Sequence, residues 1–333
     1  MNSGERILNP GYIAGALAAG TTITKTYCLN LISLCGSLCS DKYFPLFACK
    51  SSPLKIEIFL QPSIVNAMCS DQTTTTFELS NVEYIANMIE LSDNAIQTIY
   101  NSLQGNPLQF VIPTYRTFNF SGLAIGTTGN YSFSIPIASR VASLKGLYIM
   151  LRDSTKPAAT FYPFDSHTFN LIDYTFRIGA KTIPAKSINT YPEMFSELVK
   201  AVGSMSNLNY SPSIEMYSYC GNYNKPETVA ANANTLAKAQ NQFIVPVPND
   251  DTATASGWTN SGSFYIGLDC ESYSNADKSN IFTGINTNND DIFFNPNFNG
   301  FSAAADPINI RCTTFANFDA TIIFENDTCY LAI

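Results

Sequence analysis

Tyr131-Ser132-Phe133-Ser134-Ile135-Pro136-Ile137 puts Tyr131, Phe133, Ile135 and Ile137 on one side of an extended chain and its serines and proline on the other. A period of two is the signature of a strand with one face in a core. Pro136 has no amide hydrogen to give to a ladder, so the strand is expected at a sheet edge or at a bulge. Working outward, Phe110 to Phe120 is aromatic and β-branched, and Tyr174, Phe176 and Ile178 alternate with Thr175, Arg177 and Gly179. Lys145 to Leu151 is a more continuous apolar run, as expected of a strand covered on both faces.

Further strands are expected at Phe243 to Val247, Ser263 to Asp269, Ile292 to Phe294, Asn309 to Phe315, Ala320 to Glu325 and Cys329 to Ile333. Upstream, Leu54-Lys55-Ile56-Glu57-Ile58-Phe59-Leu60 alternates between Pro53 and Pro62, and Phe77 to Met88 supplies a second strand. Helices are few. Ser92 caps a run in which Ala95, Ile96, Ile99, Tyr100 and Leu103 recur at helical spacing, and Gln104-Gly105-Asn106-Pro107 ends it. Thr190-Tyr191-Pro192-Glu193 fits a capping box ahead of Met194, Phe195, Leu198, Val199 and Val202, and the alanine-rich stretch from Glu227 to Gln242 is helix-prone. Many short strands separated by Gly, Pro and Asn turns, with few helices, predict an all-β fold of sandwich or jelly-roll type.

The chain has 333 residues, enough for two domains or one large all-β domain. The stop near Gly105 divides it into 1–105 and 106–333. Only 13% of residues are charged, so Ser, Thr, Asn and Gln must supply most of the polar surface, which suits repeated protein–protein contact. With a net charge of −8 and no basic run, strong direct nucleic-acid binding is not expected. Nine cysteines in a chain of this size read as reduced, mostly buried thiols, without the Cys-x-x-Cys spacing of a zinc site. Polar residues and Lys25 interrupt the apolar stretch from Gly11 to Ser40, so neither a membrane span nor a signal peptide is expected.

No motif makes a catalytic, cofactor or metal site. His167 in Phe164-Asp165-Ser166-His167 lacks the geometry of a triad and reads as a surface or loop histidine. Asp250-Asp251 and Asn289-Asp290-Asp291 lack the ligand spacing of a Ca²⁺ loop and read as solvated turns. Gly11 to Gly20 contains no phosphate-binding motif, and Trp258 reads as a packing residue. Asn119, Asn130, Asn209 and Asn326 begin glycosylation acceptor patterns that an Asn- and Ser-rich chain contains by chance.

Taken in order, several segments resemble the double jelly-roll major capsid proteins of dsDNA viruses, of the Polinton-like virus and virophage type. They are the Lys42-Tyr43-Phe44-Pro45-Leu46 turn with its following strand, Leu79-Ser80-Asn81-Val82 leading to the first helix, and Arg140-Val141-Ala142-Ser143-Leu144-Lys145-Gly146. Tyr174 to Pro184, the helix from Pro192, Phe264 to Glu271 and the Gly284-Ile285-Asn286-Thr287 turn continue the series. The resemblance implies two tandem jelly rolls, 1–105 with a terminal helix and 106–333 with helical insertions. It implies a non-enzymatic major capsid protein that forms trimeric, pseudo-hexameric capsomers of an icosahedral shell. Its partners would be itself and minor capsid or penton proteins, with assembly in the host cytoplasm or nucleus. Loops at Asn249 to Gly262 and Tyr273 to Asn280 would face outward or join neighbours. Only about 40 residues precede Lys42, so the first roll is expected to be incomplete, with strand edges and an apolar face that need a cover. Three other readings remain: a carbohydrate-binding sandwich or attachment spike, a single-jelly-roll minor capsid (penton) protein, and a hydrolase, which would need a clustered acid–base pair including His167.

Overall fold

The computed structural model describes residues 26, 28, 43–51, 53–59, 78–126, 128–154, 166–203, 214, 219, 264–271, 282–300, 308–325 and 327–333. The strands are β1 (Leu108–Ile125), β2 (Asn130–Ser132), β3 (Ile135–Ile137), β4 (Leu144–Asp153), β5 (Leu171–Ile178), β6 (Lys181–Ile188), β7 (Tyr265–Asp269), β8 (Ile292–Asn299), β9 (Ile308–Glu325) and β10 (Thr328–Ala332). The helices are α1 (Asp93–Leu103) and α2 (Tyr191–Ala201), with a 3-10 turn at Leu46–Ala48. The expected helix at Glu227 to Gln242 and strand at Phe243 to Val247 lie outside the described residues.

The strands form two five-stranded antiparallel sheets. One runs β1-β9-β4-β7, with β10 added to β9; the other runs β2-β8-β5-β6, with β3 also on β8. If β2 and β3 are counted as one interrupted strand, the partners nest: β1 with β9, β2/β3 with β8, β4 with β7 and β5 with β6. This is the order left when one long antiparallel hairpin, with its tip at β5–β6, wraps so that successive strand pairs fall alternately in two facing sheets. Eight strands in that order define a jelly roll.

The chain divides into two compact units. Among described residues the larger takes 26, 115–126, 128–154, 166–203, 214, 219, 264–271, 282–300 and 308–318; the smaller takes 28, 43–51, 53–59, 78–114, 319–325 and 327–333. In the larger unit, Tyr174, Phe176 and Ile178 of β5 and Ile292, Phe294 and Phe298 of β8 are buried on alternate positions, as the period of two requires. Phe176 and Phe294 lie 5.1 Å apart, centroid to centroid. β4 sits between β9 and β7 and buries Leu147, Ile149, Met150 and Leu151, in line with coverage on both faces. Pro136 lies on the edge strand β3, where a missing amide costs nothing. The break between β2 and β3 falls opposite Asn295 and Pro296 of β8, and there Phe133 N–H donates to the Pro296 carbonyl at 3.1 Å.

α2 begins where expected, with Thr190 as N-cap and proline in the first turn, but the Thr190 side chain makes no cap hydrogen bond, so the capping box does not close. Met194 and Leu198 are its buried residues. A Cβ on Gly267 would come within 2.8 Å of Leu198 Cα, so glycine lets α2 lie directly on β7. Tyr148 Oη donates to the Ala201 carbonyl at 2.6 Å and gives the helix end a fixed partner on β4.

The smaller unit contains α1, the 3-10 turn, the ends of β1 and β9 from its own residues, and β10. Phe324 is at its centre, edge-on to Phe44 at 5.4 Å and stacked on Phe110 at 5.6 Å. Ser92 caps α1 by accepting from Ala95 N–H at 3.4 Å. No residue of α1 is fully buried. The alternating stretches expected as strands at 54–60 and 77–88 have no regular structure over 53–59 and 78–92. A strand persists only where its amides and carbonyls find a ladder, and none pairs with these segments among the described residues.

Candidate functional site

Two of the segments quoted for the resemblance meet in the larger unit. Leu144 N–H donates to the Ile285 carbonyl at 2.8 Å and Ile285 N–H returns a bond to the Leu144 carbonyl at 2.9 Å, which joins the Arg140–Gly146 stretch to the Gly284–Thr287 turn. Gly284 N–H donates to Ser143 Oγ at 3.0 Å. A Cβ on Gly284 would lie 2.3 Å from the Leu144 carbonyl oxygen, so only glycine permits this approach. Buried Thr287 completes the lock: its Oγ1 accepts from Val141 N–H at 3.2 Å and donates to the Ser139 carbonyl at 3.1 Å. Arg140 reaches Asp291 at 3.0 Å, but both side chains are exposed and such a pair contributes little.

Beside this junction Lys145 Nζ lies 3.1 Å from Glu271 Oε1, with 14% and 17% of the side chains exposed. Thr283 Oγ1 donates to the same carboxylate oxygen at 2.9 Å. Burial raises the Asp269 carboxyl above its ordinary value, and Glu271 and Glu197 add to the rise, while the Glu271 amide and Lys200 oppose it. Lys145 and Thr283 both hold the Glu271 carboxylate, and the Glu271 N–H donates to Asp269 Oδ1 at 2.9 Å.

His167 departs from the surface reading. It is 1% exposed, its N–H donates to the Leu151 carbonyl at 3.1 Å, and its ring meets Phe169 edge-on at 5.8 Å. Ser166 Oγ accepts from Leu151 N–H at 2.9 Å, so the neighbouring hydroxyl is committed to holding its loop on β4. Asp290 N–H is held by the Thr287 carbonyl at 3.2 Å, in keeping with a turn. Asp165, Asp250, Asp251, Trp258, the Gly11–Gly20 stretch, both proposed outward loops, Asn209, Asn326, Cys35, Cys39, Cys69 and Cys220 lie outside the described residues. Of the described cysteines, Cys49, Cys270 and Cys312 are buried, Cys329 is half-buried and Cys28 is exposed. Burial pushes the Cys270 and Cys312 thiols up to about 12. No group of three or more His, Cys, Asp or Glu among the described residues is arranged to hold a metal ion. No described helix is long and apolar enough to cross a membrane.

An incomplete first roll implied an apolar face left open, and the smaller unit does expose a run of apolar side chains. In the smaller unit Val82, Ile85 and Met88 are 75%, 87% and 74% exposed, and Phe59 is 90% exposed. Leu79, Tyr84 and Ile89 in the same run are also more than half exposed. Alternation in the sequence put Leu79, Val82 and Tyr84 on one face of an expected strand; the described structure leaves them open.

The sheet order makes the larger unit an antiparallel jelly roll. No protein-family model and no curated protein matches the chain. Among solved structures it is similar to the mavirus major capsid protein (13% identity, TM-score 0.39, 70% of this chain and 43% of that one). It is also similar to PBCV-1 VP54 fitted into a cryo-EM reconstruction of the virophage Sputnik (8%, TM-score 0.37, 71% and 54%). A third likeness is to the cryo-EM structure of the Sputnik virophage (8%, TM-score 0.36, 68% and 39%). The chain thus spans about half or less of the length of those it matches. At these TM-scores the reading of the fold stands on the sheet order itself.

Proposed function

We propose that this protein is a structural virion subunit, a major capsid protein whose tandem units, 1–105 and 106–333, build trimeric, pseudo-hexameric capsomers of an icosahedral shell. One observation carries the reading: a jelly roll whose polar groups lock loops to strands is accompanied by a smaller unit with a run of exposed apolar side chains. Monomeric proteins rarely leave contiguous apolar patches of more than a few hundred Å² in water. A shell subunit has a use for one, because every copy meets neighbours. The ordered series of capsid-like segments supports the same reading, and it implies minor capsid or penton proteins as further partners and assembly in the host cytoplasm or nucleus.

One complete jelly roll among the described residues also favours a second reading, a single-jelly-roll penton protein. Size-exclusion chromatography with light scattering, followed by negative-stain imaging, separates the two. Trimers of hexagonal outline support the major capsid reading, and pentamers support the penton. A stable monomer at high concentration sinks both.

A further inference from the structure

Charge along this chain comes in blocks. From Glu57 to Tyr115 the sequence holds Glu57, Asp71, Glu78, Glu83, Glu90 and Asp93, with no lysine or arginine among them. Glu78, Glu83 and Glu90 fall within or beside the open apolar run of the smaller unit. All three are exposed, and none makes an ion pair or hydrogen bond among the described residues. That face is therefore acidic and apolar at once. If two copies met through it like to like, one row of carboxylates would be set against another, and like charges juxtaposed across an interface oppose binding. Its complement is a surface that is apolar and basic.

The larger unit carries such a surface. Between Asp173 and Glu193 the sequence has Arg177, Lys181 and Lys186 and no acidic residue. All three are exposed on the β5–β6 hairpin, and β6 is an edge of its sheet. Arg177 lies over the Phe293 ring at 4.4 Å, while Lys181 and Lys186 make no ion pair among the described residues. Apolar area accompanies them, since Phe293, Ile183 and Pro184 are half-buried. Asp290 lies against the turn at Gly179 and offsets part of the charge at that end. Other bases of this unit are engaged: Arg140 with Asp291, Lys145 with Glu271 and Lys200 with Glu197.

We propose that the acidic, apolar run at 78–90 of one copy docks on the β5–β6 hairpin of a second copy, with Glu78, Glu83 and Glu90 facing Lys181 and Lys186 around an apolar centre. The inference rests on the shell-subunit reading and adds to it which two faces meet. Because the faces differ, the contact is heterologous: each copy offers one of each, so contacts repeat head to tail and close into a ring where the rotation allows. Lysines and a proline on β6 keep that edge from pairing with another strand, so side chains rather than a shared ladder make the contact. Opposite charges steer the encounter and fix its orientation, and added salt slows association.

The test uses the full chain. Unlabelled and heavy-nitrogen-labelled protein are mixed while dilute, concentrated, and coupled with a carbodiimide, which joins a carboxylate directly to an amine. Digestion and mass spectrometry should then find Glu78, Glu83 or Glu90 linked to Lys181 or Lys186, with one peptide light and the other heavy. By light scattering, Glu83→Lys combined with Glu90→Lys should weaken self-association about tenfold or more, and so should Lys181→Glu combined with Lys186→Glu. All four changes in one chain should restore it, a recovery that misfolding cannot imitate. A wild-type chain that stays monomeric sinks the shell reading and this inference together. Wild-type oligomers linked at these residues only within one copy, indifferent to the reversals, or not restored by the fourfold variant overturn this inference alone.

Discussion

Replacing Gly284 by alanine tests whether the motif junction holds the larger unit together. The added Cβ would lie 2.3 Å from the Leu144 carbonyl oxygen, 2.5 Å from its carbonyl carbon and 2.8 Å from its nitrogen. All three are backbone atoms, so no rotamer change relieves the clash. Leu144 is itself held by reciprocal bonds to Ile285 at 2.8 and 2.9 Å. If the turn moves away to make room, both bonds go, at about 1 kcal/mol each. If it stays, overpacking costs about 1–3 kcal/mol. A loss of about 1–3 kcal/mol follows, and for a domain of this size it lowers the melting temperature by on the order of 5 °C. Circular dichroism melts at matched protein concentration, backed by urea titration, measure it. Gly105→Ala is the control: Gly105 has φ +84° and nothing within 4 Å of its would-be Cβ, so only left-handed strain of about 1–2 kcal/mol applies. If Gly284→Ala melts no lower than the Gly105→Ala control, the close approach of turn and strand is not what holds this region.

Thr287→Val keeps the shape but leaves the buried Val141 amide without its side-chain acceptor, and should cost about 1–3 kcal/mol in urea unfolding; equal loss in Thr287→Ser would argue against the hydroxyl as the cause. Ile85→Ser combined with Met88→Ser should leave the subunit's melting temperature within about 1–2 °C of wild type, because both side chains are exposed. The same double variant should weaken self-association by light scattering; undiminished oligomers would mean that this surface takes no part. Asp269→Asn is expected to stabilise near neutral pH. A carboxyl raised by burial makes the folded state bind the proton more readily, so its penalty is complete above the folded value and disappears below the unfolded one. The gain should therefore shrink as pH falls through that window, and a pH-independent gain would remove the burial argument.

The elements legible in the sequence were those whose period was written in large apolar side chains. β5 and the buried face of α2 need no tertiary information beyond Tyr174, Phe176, Ile178, Met194 and Leu198. β9 was harder. Its inward positions are Ile310, Cys312, Thr314, Ala316, Phe318, Ala320, Ile322 and Phe324, all buried, but the small and polar members hide the alternation and split one strand of 18 residues into two expected ones. β6 has Lys181, Pro184 and Lys186 within eight residues and shows no period; as an edge strand it pairs only with β5. The reverse failure occurred at 54–60 and 77–88, where the alternation is plain but the partner that turns alternation into a strand cannot be read locally. For His167, burial comes from the backbone bonds that lay its loop against Leu151, a long-range fact that one histidine between polar neighbours does not disclose.

The open apolar run can be weighed against the role proposed for it. Fully burying a Val, Leu, Ile, Met or aromatic side chain contributes about 1.5–3 kcal/mol. Six such side chains between Leu79 and Ile89 are more than half exposed, so covering them yields on the order of 10 kcal/mol before any cost. Association itself costs about 4–15 kcal/mol in lost freedom, and ordering the interface adds to that. One contact of this kind is therefore marginal alone, too weak for a permanent dimer and too large to leave in water without consequence. Closed symmetry changes the balance, since a copy held by two neighbours meets the second at a high effective concentration and loses its rigid-body freedom once for both. A subunit whose function is to be surrounded by copies of itself can rest on such contacts, whereas an enzyme working as a monomer gains nothing from keeping them exposed.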